Sequence, residues 1–186
     1  MTGPGDTTAR CANSMVTNST ATNSPGAMVP LVRIRPALAS EAGLLGDIAY
    51  QSKAHWGYRA ADLARWRDEL IVAPGSIESC PTWVARIDDR PVGFAMLEKG
   101  SAQWALEHLW VLPDAMHRGA GRALLLQAVR VAGEHGALAL SIDADPNAER
   151  FYLASGAHRV GAIAAPVDGR PDRVRPQLLL SIPRRT

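Results

Sequence analysis

The run Leu31-Val32-Arg33-Ile34-Arg35 alternates apolar and polar residues and predicts a strand ended by Pro36. Ser40 and Glu41 then open a stretch with Leu44, Leu45, Ile48 and Ala49 at helical spacing. After the loop-like His55-Trp56-Gly57-Tyr58, a second helix is predicted over Ala60 to Ile71, stopped by Pro74-Gly75. Thr82 to Ile87 and Val92 to Glu98 read as a hairpin around Asp88-Asp89-Arg90, and Gln103 to Val111 as a third antiparallel strand closed by Pro113.

A longer helix, running to about His135, places Leu124, Leu125, Ala128, Val131 and Ala132 on one face and Arg122, Arg130 and Glu134 towards the other. Gly136 stops it, and Ala137 to Ile142 reads as a short buried strand. A helix links that strand to the one before it, so the two are predicted parallel neighbours. Asp145 caps a short helix with Pro146 at its first position, and Gly156 ends it. Ala157 to Ala164 and Gln177 to Ile182 are the last strands, joined by a loop over Pro166 to Pro176. The fold class is α/β of the α+β type: a mixed sheet, antiparallel first and parallel across the long helix, flanked by helices.

Residues 1 to 28 are rich in Thr, Asn, Ser, Gly and Ala and show neither period, so they read as a disordered tail before one folded domain, 29–186, with Met28 as an alternative start of translation. With 20 Lys and Arg against 18 Asp and Glu, net charge is +2, and no basic helix or aromatic-basic stripe argues for nucleic acid. Arg173, Arg175, Arg184 and Arg185 make the C-terminal end locally basic, a solvated face. No apolar run approaches the roughly 18 residues of a membrane span. Cys11 and Cys80 fit no metal or redox spacing, which makes no metal site and a reducing cytoplasm the expectation.

The chemistry concentrates at Arg118-Gly119-Ala120-Gly121-Arg122-Ala123, between a strand and a helix start. Such a turn presents backbone N–H groups to a phosphate, and the two arginines add charge that suits an anion. A P-loop is excluded, because Gly121-Arg122-Ala123 lacks the Gly-Lys-Ser/Thr ending. A dinucleotide fingerprint fits poorly: its sixth position is Leu124 and seven residues separate Val111 from Gly119. Asp143 at a plausible ribose distance keeps that reading open.

The pattern Arg118-x-x-Gly121-x-Ala123 resembles the acyl-CoA pyrophosphate loop of the GNAT superfamily of N-acetyltransferases. Asp145 to Ala157 is similar to that family's segment Asn-x-x-Ala-x-x-Phe-Tyr followed by Gly-Phe, with Phe151-Tyr152 and Gly156-Ala157 in the matching places. Order and distance of the two motifs match as well. The chain departs from the pattern at Asp145, with Asn147 two residues on, at Ala157 in place of Phe, and at His117.

The resemblance covers about residues 31 to 163. It implies that the strands ending at Val111 and Ile142 splay apart and that acetyl-CoA enters the gap as acyl donor. The implied cofactor residues are Leu109, Trp110 and Val111 on the strand, His117, Arg118, Gly119, Ala120, Gly121, Arg122 and Ala123 on the turn, and Asn147. It implies Tyr152 as general acid to the thioester sulfur and Glu107 as base, with a backbone N–H near Leu109 to Val111 meeting the oxyanion. His55, Trp56 and Tyr58 would wall an amine acceptor's pocket, or else pack the helix pair onto the sheet.

By strand alternation His108 points away from the face of Glu107. Phe151, Trp66, Trp83, Trp104 and Trp110 read as core or sheet-face residues. A non-catalytic acyl-CoA-binding regulatory module is the alternative on the same fold. Family members often dimerise, so a homodimer is a further expectation.

Overall fold

The computed structural model describes residues 31–183. The expectations for residues 1–28, including Cys11 and Met28, and for Arg184 and Arg185 lie outside them. Among the described residues seven strands form one sheet: β1 Arg33–Pro36, β2 Thr82–Ile87, β3 Arg90–Glu98, β4 Gln103–Val111, β5 Ala139–Asp143, β6 His158–Ala164 and β7 Val174–Ser181. Their order is β1-β2-β3-β4-β5-β7-β6. Every neighbouring pair is antiparallel except β4 and β5, which are parallel. The mixed, mostly antiparallel sheet with one parallel pair is the predicted fold class.

Helices α1 Ala42–Ala54, α2 Ala60–Arg65, α3 Pro74–Ser79, α4 Ala120–Glu134 and α5 Glu149–Ala154 flank the sheet. Leu97, Leu124 and Leu140 are fully buried where α4 meets the strands, and Phe94 is fully buried on the opposite face of the sheet, beside His108. The turn of the β2–β3 hairpin is tighter than expected. Asp88 and Asp89 both have positive φ, 49° and 61°, as a two-residue type I′ turn requires, and Arg90 already belongs to the strand.

Proline accounts for two differences from the sequence reading, at Pro74 and Pro176. Pro74 starts α3 instead of stopping a helix, because its fixed φ suits the first turn. β1 ends at Pro36 as predicted, on an edge strand that tolerates the missing N–H. Pro176 lies inside β7, where its carbonyl takes the Ala144 N–H at 3.0 Å just past the end of β5. The helix expected over Ala60 to Ile71 ends at Arg65 and tightens into a 3-10 turn at Asp68–Leu70. The Leu70 N–H is shared by the carbonyls of Trp66 and Arg67, which draws Leu70 into the core.

Two features of β4 position the site. It pairs with β5 only at Gln103, Trp104 and Ala105, opposite Ala139, Leu140 and Ser141. Beyond that the strands part, and residues 106–111 keep only β3 as a ladder partner. The second feature is a bulge: Leu97 faces Leu106 and Met96 faces His108, leaving Glu107 as the inserted residue.

Candidate active site

The bulge decides what faces the gap. Trp104 stacks on His135 at the end of α4, with ring centroids 5.6 Å apart, and Val111 packs beside Gly121 in α4. Positions 104, 106, 109 and 111 therefore look towards α4, and the inserted residue puts 105, 107, 108 and 110 on the other side. Glu107 and His108 share a face, contrary to simple alternation, because two residues of β4 oppose one of β3.

On that face the Trp110 indole Nε1–H donates to His108 Nδ1 at 3.1 Å. Burial lowers the His108 pKa, so the ring is neutral and its Nδ1 already occupied. Glu107 remains the available carboxylate. Partial burial, then the carboxylates of Glu98 and Asp143, raise its pKa above the usual glutamate value.

Tyr152 lies in α5 with its residue only 6% exposed. Its ring meets Phe151 edge-on at 5.0 Å. Its hydroxyl has no hydrogen-bond partner among the described residues, yet it is not among the sealed unpaired atoms, so it borders accessible space. Burial first, and the Asp145 carboxylate second, push its pKa up, so it stays protonated across the physiological range.

The glycine turn has the backbone of an anion cradle. His117 and Gly119 have φ of 60° and 89°, and Gly119 is the N-cap of α4. Of the run expected to offer N–H groups, Arg118 donates to Ala115 O and Ala123 to Gly119 O. The N–H groups of residues 119–122 lie ahead of that first helical bond and have no backbone partner among the described residues. The turn thus fits a pyrophosphate, and the open edge of β4 fits an extended arm laid beside it.

The acceptor-side residues divide. Tyr58 is buried, whereas His55 and Trp56 lie nearer the surface and meet each other, ring centroids 5.1 Å apart. Tyr58 belongs to a polar cluster that sequence reasoning missed. Its hydroxyl lies 2.8 and 3.0 Å from the two Asp145 carboxylate oxygens. Lys53 Nζ donates to Asp145 at 2.8 Å, and Arg173 donates through Nη2 to Tyr58 at 3.1 Å and to Asp145 at 3.4 Å.

Asp145 also caps the turn after β5, as predicted, by accepting the Asn147 N–H at 2.9 Å. Asn147, expected on the cofactor side, spends its amide on Asp145 and Tyr58 at 2.8 and 3.3 Å. Burial opposes the charge of Asp145, but Lys53, the Asn147 N–H and the Tyr58 hydroxyl outweigh it and hold its carboxyl below the usual value. Burial and the same carboxylate raise the Tyr58 pKa to about 12.

Aromatic rings enclose the cluster. Tyr58 and Trp66 meet edge-to-face at 4.9 Å, and Lys53 Nζ lies 4.5 Å from the Trp66 ring centroid and 5.9 Å from that of Trp110. Through Trp110 the cluster adjoins β4. Trp66, Trp104 and Trp110 accordingly split between roles: Trp104 is core, and the other two line this cage. One signal for Lys53 was readable, since it continues the buried stripe Leu45, Ile48, Ala49, Ser52 at helical spacing. Arg173 had none.

Comparison with known proteins agrees with this geometry. The model of the Acetyltransferase (GNAT) family matches residues 49–157, more than half of the chain. The GCN5-related N-acetyltransferase of Rhodopseudomonas palustris superposes with a TM-score of 0.68 at 26% identity, covering 84% of this chain and 99% of that one. The PaiA N-acetyltransferase of Thermoplasma acidophilum, solved with coenzyme A, gives a TM-score of 0.60 at 18% identity over 81% and 99% of the two chains. YncA of Salmonella typhimurium, solved with acetyl-CoA, gives 0.62 at 15% identity over 84% and 96%.

Proposed function

The chain belongs to the acetyltransferase (GNAT) family, and from that premise we propose that it transfers an acetyl group from acetyl-CoA to a primary amine by direct attack within a ternary complex. The observation that carries this reading is the open edge of β4 over residues 106–111, bordered by the free N–H groups at the start of α4. When bound, acetyl-CoA supplies a thioester carbonyl open to an amine and a thiolate as leaving group.

The backbone of Leu109 and Val111 pairs with the pantetheine arm as an added strand would. The N–H groups of residues 119–122 hold the pyrophosphate, and Arg118 and Arg122 neutralise it. Glu107 accepts the proton that the acceptor amine sheds as the C–N bond forms. Tyr152 donates its hydroxyl proton to the sulfur as the C–S bond breaks. A backbone N–H of Leu109 to Val111 faces the carbonyl oxygen while it carries charge.

Three measurements test the reading. Acetyl-CoA at 100 times its Kd adds about 2.7 kcal/mol to stability, which raises the melting temperature by about 5–10 °C. No shift with millimolar acetyl-CoA would overturn the reading. Thiol release against an amine library then separates enzyme from binding module: a shift with no thiol released from any acceptor favours a regulatory acyl-CoA-binding role. Tyr152→Phe lowers kcat by about 10²-fold with the acetyl-CoA shift retained, and an unchanged kcat removes Tyr152 from the mechanism.

A further inference from the structure

Trp110 decides which nitrogen of His108 carries the proton. An indole N–H can only donate, and this one donates to His108 Nδ1 at 3.1 Å. A neutral imidazole has a single N–H, so with Nδ1 accepting, the hydrogen sits on Nε2. The ring is held in place as well: Phe94 lies beside it, ring centroids 5.7 Å apart, and Met96 stands opposite on β3. A further proton could add only at Nδ1, where the indole hydrogen already points. The side chain is therefore a donor and not a base.

That donor is unspent. Nε2 has no hydrogen-bond partner among the described residues, yet it is not among the sealed unpaired atoms, so it borders accessible space. Its place on the strand gives it meaning. At the bulge Glu107 and His108 are consecutive residues on the face away from α4, with Cα atoms about 3.8 Å apart. The strand presents a carboxylate and a neutral N–H side by side. The anion cradle belongs to α4 on the other face, so the pair is turned to the acceptor and not to the phosphates of the donor.

A molecule that matches both groups offers an amine to the carboxylate and an oxygen to the N–H, only a few atoms apart. A carboxylate oxygen is disfavoured there, because Glu98 and Asp143 already add negative charge around Glu107. An amide carbonyl accepts from a neutral donor without that repulsion. We propose that His108 Nε2–H donates to an amide carbonyl oxygen of the acceptor, next to the amine that Glu107 deprotonates, and that Trp110 is the positioning residue that holds the ring in the donor tautomer. The proposal rests on the acetyltransferase reading and narrows the acceptor to α-amino amides.

Glycinamide and ethylamine are the probes, since they differ in the carbonyl group. Thiol release with saturating acetyl-CoA gives kcat/KM for each. The two amines differ in basicity, so the quantity read is the change in their ratio between variant and unmodified chain, where basicity cancels. His108→Leu lowers the glycinamide-to-ethylamine ratio about fivefold, the loss expected for one neutral hydrogen bond. His108→Gln, whose amide keeps a donor, retains the ratio within about twofold. With five histidines in the chain, a nitrogen–proton NMR correlation spectrum reads the tautomer directly: Nε2–H for His108 in the unmodified chain and a mixture in Trp110→Phe. This spectrum decides the matter should His108→Leu not fold. An Nδ1–H tautomer in the unmodified chain, no turnover of glycinamide, or an unchanged ratio in a folded His108→Leu overturns the proposal, and the acetyltransferase reading stands. A pure Nε2–H tautomer in Trp110→Phe overturns the part given to Trp110. Failure of the unmodified chain to bind acetyl-CoA overturns both readings.

Discussion

Removing the charge of Asp145 tests the polar cluster most directly. Its side chain is 7% exposed, and those of Lys53 and Arg173 are 11% and 5% exposed. Asp145→Asn keeps the shape and the oxygen that caps the turn through the Asn147 N–H. It strands two buried cations. Breaking a buried pair by removing one partner costs about 3–5 kcal/mol, because the remaining charge is left uncompensated. The retained amide oxygen puts the expected loss at the low end, about 3 kcal/mol, or about 6–12 °C in melting temperature for a domain of this size.

Lys53→Met in the Asp145→Asn background removes one orphan, so the double variant is more stable than the sum of the single losses by about 1–3 kcal/mol. Urea unfolding of the ligand-free chain measures both quantities. The pH dependence has a definite sign. The Asp145 carboxyl lies below its usual value in the folded chain, so its contribution is present above the ordinary aspartate pKa and is lost as pH falls through the folded value. That acid-side decline flattens in Asp145→Asn. A loss under about 1 kcal/mol, or strictly additive single losses, refutes the view that Asp145 balances two buried cations.

If Glu107 is the base, the acid limb of kcat/KM lies above the usual glutamate pKa, since burial, Glu98 and Asp143 all raise it. Glu98→Gln moves that limb to lower pH and Glu107→Gln abolishes it; a limb that ignores both substitutions points to another base. Gly119→Ala forces a side chain onto a residue at φ 89°. It costs about 1–2 kcal/mol and weakens acetyl-CoA binding, and a calorimetric Kd equal to that of the unmodified chain would show that the N-cap does not shape the cradle.

The elements with a strong local period were the legible ones. Thr82 to Ile87 and Gln103 to Val111 lie where the apolar pattern put them, and Asp145 caps where its type and Pro146 indicated. The parting of β4 from β5 was reached through the resemblance alone, since pairing across a helix leaves no mark in either strand. The face of His108 was misread for a related reason. Alternation counts residues along one strand, and the bulge at Glu107 exists only relative to β3. Pro176 was misread as a strand boundary because the cost of a proline depends on whether the missing N–H would have had a partner, and that is decided by the neighbouring strand.

The polar cluster marks a different limit. Tyr58, Asp145 and Arg173 are far apart in sequence, Tyr58 and Arg173 by 115 positions. No window of sequence contains the pair, so Arg173 read as part of a solvated basic end, when its side chain is only 5% exposed. Lys53 was different. A lysine at the next position of a buried helical stripe, after Ile48, Ala49 and Ser52, must either lift its ammonium to solvent or meet a buried anion. With that alternative posed, the acidic residues of the segments that carry the chemistry become the candidates, and Asp145, already singled out as a cap, is among them. Its one carboxylate serves local structure and long-range charge together, so the cap that orders the turn before Tyr152 is also what holds the buried cations Lys53 and Arg173 in place.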